Sequence, residues 1–112
     1  MNKIITFEDF TKIDLRVGTI IEVNDFPEAR KPAYQLIIDF GDLGIKKSSA
    51  QITTLYQKED LLNRQIVAVV NFPKKQIVKF MSECLVMGAV VNENDVILLK
   101  PEIKVKNGSV IN

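Results

Sequence analysis

The segment from Asn71 to Met81 holds three lysines and no acidic residue. Asn71-Phe72-Pro73-Lys74-Lys75 is followed within a few residues by Lys79-Phe80, so cationic groups and aromatic rings alternate along one connection. Ammonium groups contact phosphates and rings stack on unpaired bases, which makes this pattern suited to RNA. The same residues also suit a solvated turn, with the lysines in water and Phe72 and Phe80 turned to the core. Lys46 and Lys47 are a second candidate pair of phosphate contacts, on a segment that could equally be an ordinary wet strand. Arg16 stands two residues from Asp14, so it could hold a phosphate or pair with that carboxylate.

Other chemistries lack their residues. With no histidine and a single cysteine, Cys84, the chain cannot assemble the usual zinc sites, a histidine-based triad or a Cys-His nucleophile pair. Ser48, Ser49 and Ser82 therefore have no histidine to activate them, and a lysine base would need a dry cleft. The adjacent acids Glu8/Asp9 and Glu59/Asp60 read as helix starts, where carboxylates favour the dipole, rather than as an acid–base pair. Cys84, beside Leu85, Val86 and Met87, reads as a small buried hydrophobe. The expectation is a binding protein with no catalytic residues, no metal and no cofactor.

Net charge is +1 over 112 residues, too small for strong overall attraction to nucleic acid, but the charge is unevenly placed. Residues 1–30 carry −2, residues 31–91 carry +3 and the remainder is neutral. A length of 112 residues at 46% hydrophobic suits one domain spanning 1–112 with one core. The N-terminal stretch is interrupted by Glu8 and Asp9 before it could serve as a secretion signal. The apolar run at 84–91 is far too short for a membrane-spanning helix. A lone cysteine fits a reducing compartment, so the expected location is the cytoplasm.

The elements that must position these residues follow from hydrophobic period. Thr6 with Asp9 three residues on forms a capping box, and Phe7, Phe10 and Ile13 give the short helix behind it one apolar face. From Asp14 the period becomes two: Leu15, Val17, Thr19, Ile21 and Val23 on one side, with Arg16, Gly18, Ile20 and Glu22 on the other. Gly18 suggests a bulge or sharp coil by which one strand bends to serve both sides of a small barrel. Two prolines make 26–32 a loop, then Tyr34, Leu36, Ile38 and Phe40 alternate as a second strand, and a turn at 41–44 returns the chain along 45–50. A short helix or irregular connection occupies 51–63, followed by strands at 65–70 and 83–91, a turn at 92–95 and further short strands at 96–99 and in the tail. Five to six short strands with an N-terminal and an intercalated short helix suit an all-β class, a closed barrel of the OB type.

Apolar residues near the chain ends exceed what a minimal barrel covers. Phe7, Phe10, Met81 and Met87, with Ile103, Val105, Val110 and Ile111, would complete a monomer core, be buried in a dimer, or accept extended peptide.

Several separated motifs resemble one family. Phe7-Glu8-Asp9-Phe10, Asp14-Leu15-Arg16-Val17-Gly18-Thr19-Ile20, Phe26-Pro27-Glu28-Ala29-Arg30 and Ile38-Asp39-Phe40-Gly41 occur in the family's order. They continue through Gly44-Ile45-Lys46-Lys47-Ser48-Ser49-Ala50-Gln51-Ile52, Val67-Ala68-Val69-Val70-Asn71-Phe72-Pro73, Ser82-Glu83, Asp95-Val96 and Asn107-Gly108. Over essentially its whole length the chain resembles the CsaA-type export-related chaperones, part of the tRNA-binding domain group that includes the C-terminal domain of many methionyl-tRNA synthetases. The resemblance implies an OB-fold barrel, a homodimer joined through the terminal segments, no cofactor, and binding of tRNA, of unfolded or precursor polypeptides, or of both. It places Asn71, Lys74, Lys75 and Ser82 in the segment used for RNA, beside the candidates Arg16, Lys46, Lys47 and Lys79. Phe7, Phe10, Phe72, Phe80, Met81 and Met87 are the expected peptide or dimer contacts. The alternative is a dedicated tRNA-binding module that delivers or stabilises structured tRNA.

Overall fold

In a computed structural model of the chain, residues 3–93 and 95–112 are described. The first element, α1 (Phe7–Thr11), begins with the expected capping box. Thr6 Oγ1 accepts from the Asp9 N–H at 3.1 Å and the Asp9 carboxylate accepts from the Thr6 N–H at 3.2 Å. Five residues cannot hold a helix by themselves, and α1 buries none of its own. Its anchor is Phe10, which packs against Leu15, Val17, Val67 and Val69.

Strand β1 (Leu15–Asp25) organises the barrel because its two halves serve different neighbours. Its first half pairs antiparallel with β4 (Gln65–Val69), Leu15 opposite Val69 through Thr19 opposite Gln65. Its second half pairs with β2 (Tyr34–Asp39), which pairs in turn with β3 (Ile45–Ala50) across a 3₁₀ turn at Gly41–Leu43. A bulge at Ile21 lets one strand bend between these roles: Ile20 opposes Ile38, Glu22 opposes Ile37, and Ile21 is left over and exposed. The extra residue also reverses the side-chain phase, so that Ile20 and Val23 both reach the main core, whereas strict alternation separates them.

The expected bulge at Gly18 is therefore corrected to Ile21, and Gly18 has a different task. A Cβ there would lie 2.7 Å from Ile38 Cγ2 and 2.8 Å from the Phe40 ring, so glycine lets β1 cross close over the core.

The five-stranded sheet runs β3-β2-β1-β4-β7, with β7 at Leu85–Val86. It curls until β3 meets the segment leading into β7: the Glu83 N–H donates to Lys47 O at 2.7 Å, and the buried Ser48 hydroxyl donates to Cys84 O at 3.1 Å. That closure is the OB-type barrel, and it leaves neither end strand as a bare edge. Inside lie Ile20, Leu36, Ile38, Phe40, Ile66 and Ala68, all fully buried. The short helix α2 (Lys58–Leu61) sits between β3 and β4 and adds Leu61 to that core. Tyr34 donates to Tyr56 O at 2.8 Å, and the Tyr56 hydroxyl accepts from the Leu98 N–H at 3.0 Å, so both buried phenols are satisfied.

Two hairpins are appended. One, β5 (Lys75–Ile77) with β6 (Phe80–Ser82), occupies the lysine-bearing connection. The other pairs β8 (Gly88–Asn92) with β9 (Asp95–Leu98), and the single strand expected over 83–91 is divided between β7 and β8. The expected turn at 92–95 includes Asn94, which lies outside the described residues; Asn92 and Asp95 pair on either side of it. The tail forms no named strand but lies along β1, where Val17 exchanges main-chain bonds with Ser109 and Gly108 at 3.0 and 2.7 Å.

Candidate nucleic-acid interface

The β5–β6 hairpin docks on the outer side of the barrel, against β3 and the loop between β1 and β2. Phe80 is the anchor. Its ring packs on Phe26 at 5.4 Å between centroids, with Ala33, Ala29 and Ile77 around the pair. At 9% exposure Phe80 is a core residue that shows only an edge at the surface, which corrects its assignment as a peptide or dimer contact: its ring is taken up by packing against Phe26. Phe72, at 49%, stays on the surface.

Hydrogen bonds then fix the hairpin's C-terminal end to β3. The Ser82 hydroxyl accepts from the Ser49 N–H at 3.1 Å, and the Glu83 carboxylate accepts from the Lys47 N–H at 2.9 Å. The other Glu83 oxygen lies 3.4 Å from Lys74 Nζ. Burial disfavours the ionised Glu83, but the Lys47 N–H together with the Lys74 and Lys47 charges outweighs it and holds the carboxyl below the usual glutamate range.

As a result Lys47 of β3 and Lys74, Lys75 and Lys79 of the hairpin belong to one joined unit, while Lys46 shares the opposite face of β3 with the buried Ser48. Lys47 Nζ stands 5.3 Å from the Phe80 ring centre. Lys46, Lys47, Lys75 and Lys79 form no ion pair among the described residues, while Lys74 has Glu83. In an OB barrel the face of the second and third strands, with the first–second and fourth–fifth strand connections, is where oligonucleotides lie. The loop at 26–33 and the hairpin are those two connections here.

Other expected contacts are engaged in holding the fold. The Asn71 side chain accepts from the Asp14 N–H at 2.9 Å and donates to Lys12 O at 2.7 Å, tying the end of β4 to the entrance of β1. Arg16 donates to Asp14 from Nε at 2.6 Å and to Gly108 O at 3.0 Å, fastening the tail. Cys84 is buried, and burial pushes its thiol up to about 12, with Lys46 acting weakly in the opposite direction.

The expected apolar contacts divide by exposure. Phe7 is 74% exposed, while Phe10 and Met87 pack partly on Leu15, Val17, Val67 and Val69 with Ile111, and Met81 is half-buried on β6. Ile4, Ile5, Val90, Val91, Ile97, Ile103 and Val110 are exposed as well.

Pattern reading missed Gln35, which points outward from β2 beside the hairpin; the alternation of Tyr34, Leu36 and Ile38 inward already assigns it to that face.

A family model described as "Putative tRNA binding domain" matches residues 15–110. The solved structure of the chaperone CsaA from Bacillus anthracis str. Ames has a TM-score of 0.94 and 53% identity, covering 98% of this chain and 100% of that one. The CsaA chaperone protein from Picrophilus torridus gives 0.89 and 55%, covering 97% and 100%. The methionine–tRNA ligase of Thermococcus onnurineus is 39% identical over 105 residues, which is 94% of this chain but only 14% of the ligase. The chain thus spans about a seventh of the length of such relatives. With a family match running from β1 into the tail, and near-complete superposition on two chains more than half identical to it, the protein belongs to the tRNA-binding domain family, among its CsaA-like members.

Proposed function

We propose that the chain, acting as one binding unit over residues 1–112, holds tRNA by its phosphate backbone and makes or breaks no covalent bond. The observation that carries this reading is the docking of the lysine-bearing hairpin on β3, which joins Lys47, Lys74, Lys75 and Lys79 on the barrel side suited to oligonucleotides. Ammonium groups read charge and spacing rather than sequence, so the ligand is a folded RNA recognised by shape. The test is a filter-binding titration with total tRNA. Replacing Lys74 and Lys75 together by alanine weakens binding at low salt, whereas unchanged affinity defeats the reading.

A second activity, holding unfolded precursor polypeptides before export, is favoured by likeness to CsaA chaperones and by the exposed apolar set around α1 and the β8–β9 hairpin. A homodimer built through the terminal segments would bury part of that set, in the cytoplasm where both ligands occur. No described helix is long and apolar enough to cross a membrane. Light scattering of a denatured model protein tests this: suppression of aggregation survives the Lys74/Lys75 double change and weakens when Phe7 is replaced by serine. Equal aggregation with and without the protein excludes it.

A further inference from the structure

Between the loop after β1, the outer face of β2 and the tip of the β5–β6 hairpin lies a recess of about 280 Å³, lined by Phe26, Glu28, Gln35, Val78, Lys79 and Phe80. The volume is at the lower end of cavities that hold a small molecule, enough for one planar base. Its chemistry is mixed in a specific way. Edges of Phe26 and Phe80 and the Val78 side chain give apolar walls, and Lys79 stands at the hairpin tip. The Gln35 amide and the Glu28 carboxylate have no hydrogen-bond or ion-pair partner among the described residues.

An anion here needs a reason, because Lys47, Lys75 and Lys79 belong to the same side and attract phosphates that a free carboxylate repels. A carboxylate accepts and cannot donate. Opposite a base it therefore favours an edge offering two adjacent donors, and guanine presents N1–H and N2–H₂ side by side. Adenine places the acceptor N1 next to its N6 donor, which sets a lone pair against a carboxylate oxygen. The Gln35 amide can donate to guanine O6 while the carboxylate accepts from the other two positions.

We propose that this recess takes one unpaired guanine base of a bound RNA, with Glu28 and Gln35 reading its pairing edge and Lys79 holding the adjoining phosphate. The inference rests on the RNA-binding reading above and adds a base preference to a surface otherwise indifferent to sequence. The strained tip fits such a task. Val78 has φ +57° at the position of a two-residue turn where glycine is usual, and Gln76 fastens it by donating to Val78 O at 2.9 Å.

The test is fluorescence anisotropy with labelled uridine heptamers carrying a single central guanine, adenine, cytosine or inosine, run beside total tRNA. Guanine is expected to bind about tenfold tighter than adenine or cytosine, with inosine between them because it lacks the N2 amine. Glu28→Gln is expected to abolish the preference among the heptamers, and Gln35→Ala to reduce it. Equal binding of all four heptamers beside normal tRNA binding overturns the base pocket and leaves the backbone reading standing. A preference unchanged in Glu28→Gln overturns it too. If neither heptamers nor tRNA bind, both readings fall together.

Discussion

Replacing Glu83 by alanine tests how the barrel is closed and how its charge is arranged at the same time. The carboxylate accepts from the Lys47 N–H at 2.9 Å and lies 3.4 Å from Lys74, while the Glu83 main-chain bond to Lys47 O survives the change. A half-buried N–H left without its acceptor costs about 1–3 kcal/mol, and the exposed Lys74 pair adds about 0–1 kcal/mol. A chain of 112 residues loses roughly 4 °C of Tm per kcal/mol, so Glu83→Ala should melt about 4–16 °C below the parent. Glu83→Gln keeps an acceptor for Lys47 and gives up only the charge, so it should lie within about 1 kcal/mol of the parent. Because folding lowers the Glu83 pKa, its charge stabilises the fold fully above the unfolded-chain value and loses that effect as pH falls through the folded one. The gap between parent and Glu83→Gln should therefore narrow once pH falls below the ordinary glutamate value of about 4.3 and close at lower pH. Binding moves the other way: loss of an anion and release of Lys74 raise tRNA affinity and steepen its salt dependence by up to about one unit. Circular-dichroism melts over pH 3–8 supply the stabilities. If Glu83→Ala melts with the parent, the closure argued for β3 is wrong.

Three further outcomes follow from burial and close approach. Phe80→Ala should cost about 3–5 kcal/mol in urea unfolding because the ring is buried on Phe26, while Phe72→Ala should cost under about 0.5 kcal/mol. Gly18→Ala sets a methyl 2.7–2.8 Å from Ile38 and Phe40 and should destabilise by about 1–3 kcal/mol in the same assay; a neutral result contradicts the close crossing of β1. Cys84, buried and with its thiol pushed up to about 12, should resist an aromatic disulfide reagent at pH 8 in the native state and react at once in denaturant.

The barrel was legible where local chemistry and tertiary packing ask for the same residue. Thr6 with Asp9, the alternation of Tyr34, Leu36 and Ile38, and the turn after Phe40 all form as their patterns require. Expectation and structure part where one extra residue or one long-range contact decides. The Ile21 bulge carries no glycine to announce it, and Gly18 is explained only by Ile38 and Phe40, some twenty residues away. The β5–β6 hairpin hid because its turn uses Val78 at a positive φ, which no turn pattern favours. Tail residues Gly108 to Ile111 bond to β1, but only Val110, opposite Arg16, meets it as an isolated bridge. At the site, the lysines stood out by type, whereas the roles of Asn71 and Arg16 as ties, and of Phe80 as core, depend on partners distant in sequence.

Measuring tRNA affinity as a function of salt bears most directly on the central claim. If about four of the lysines on the hairpin and β3 each displace a counterion, log K falls against log salt with a slope of roughly −3 to −4, about a hundredfold between 50 and 200 mM. A slope near zero, with binding intact, would contradict a phosphate-backbone interface on this face of the barrel.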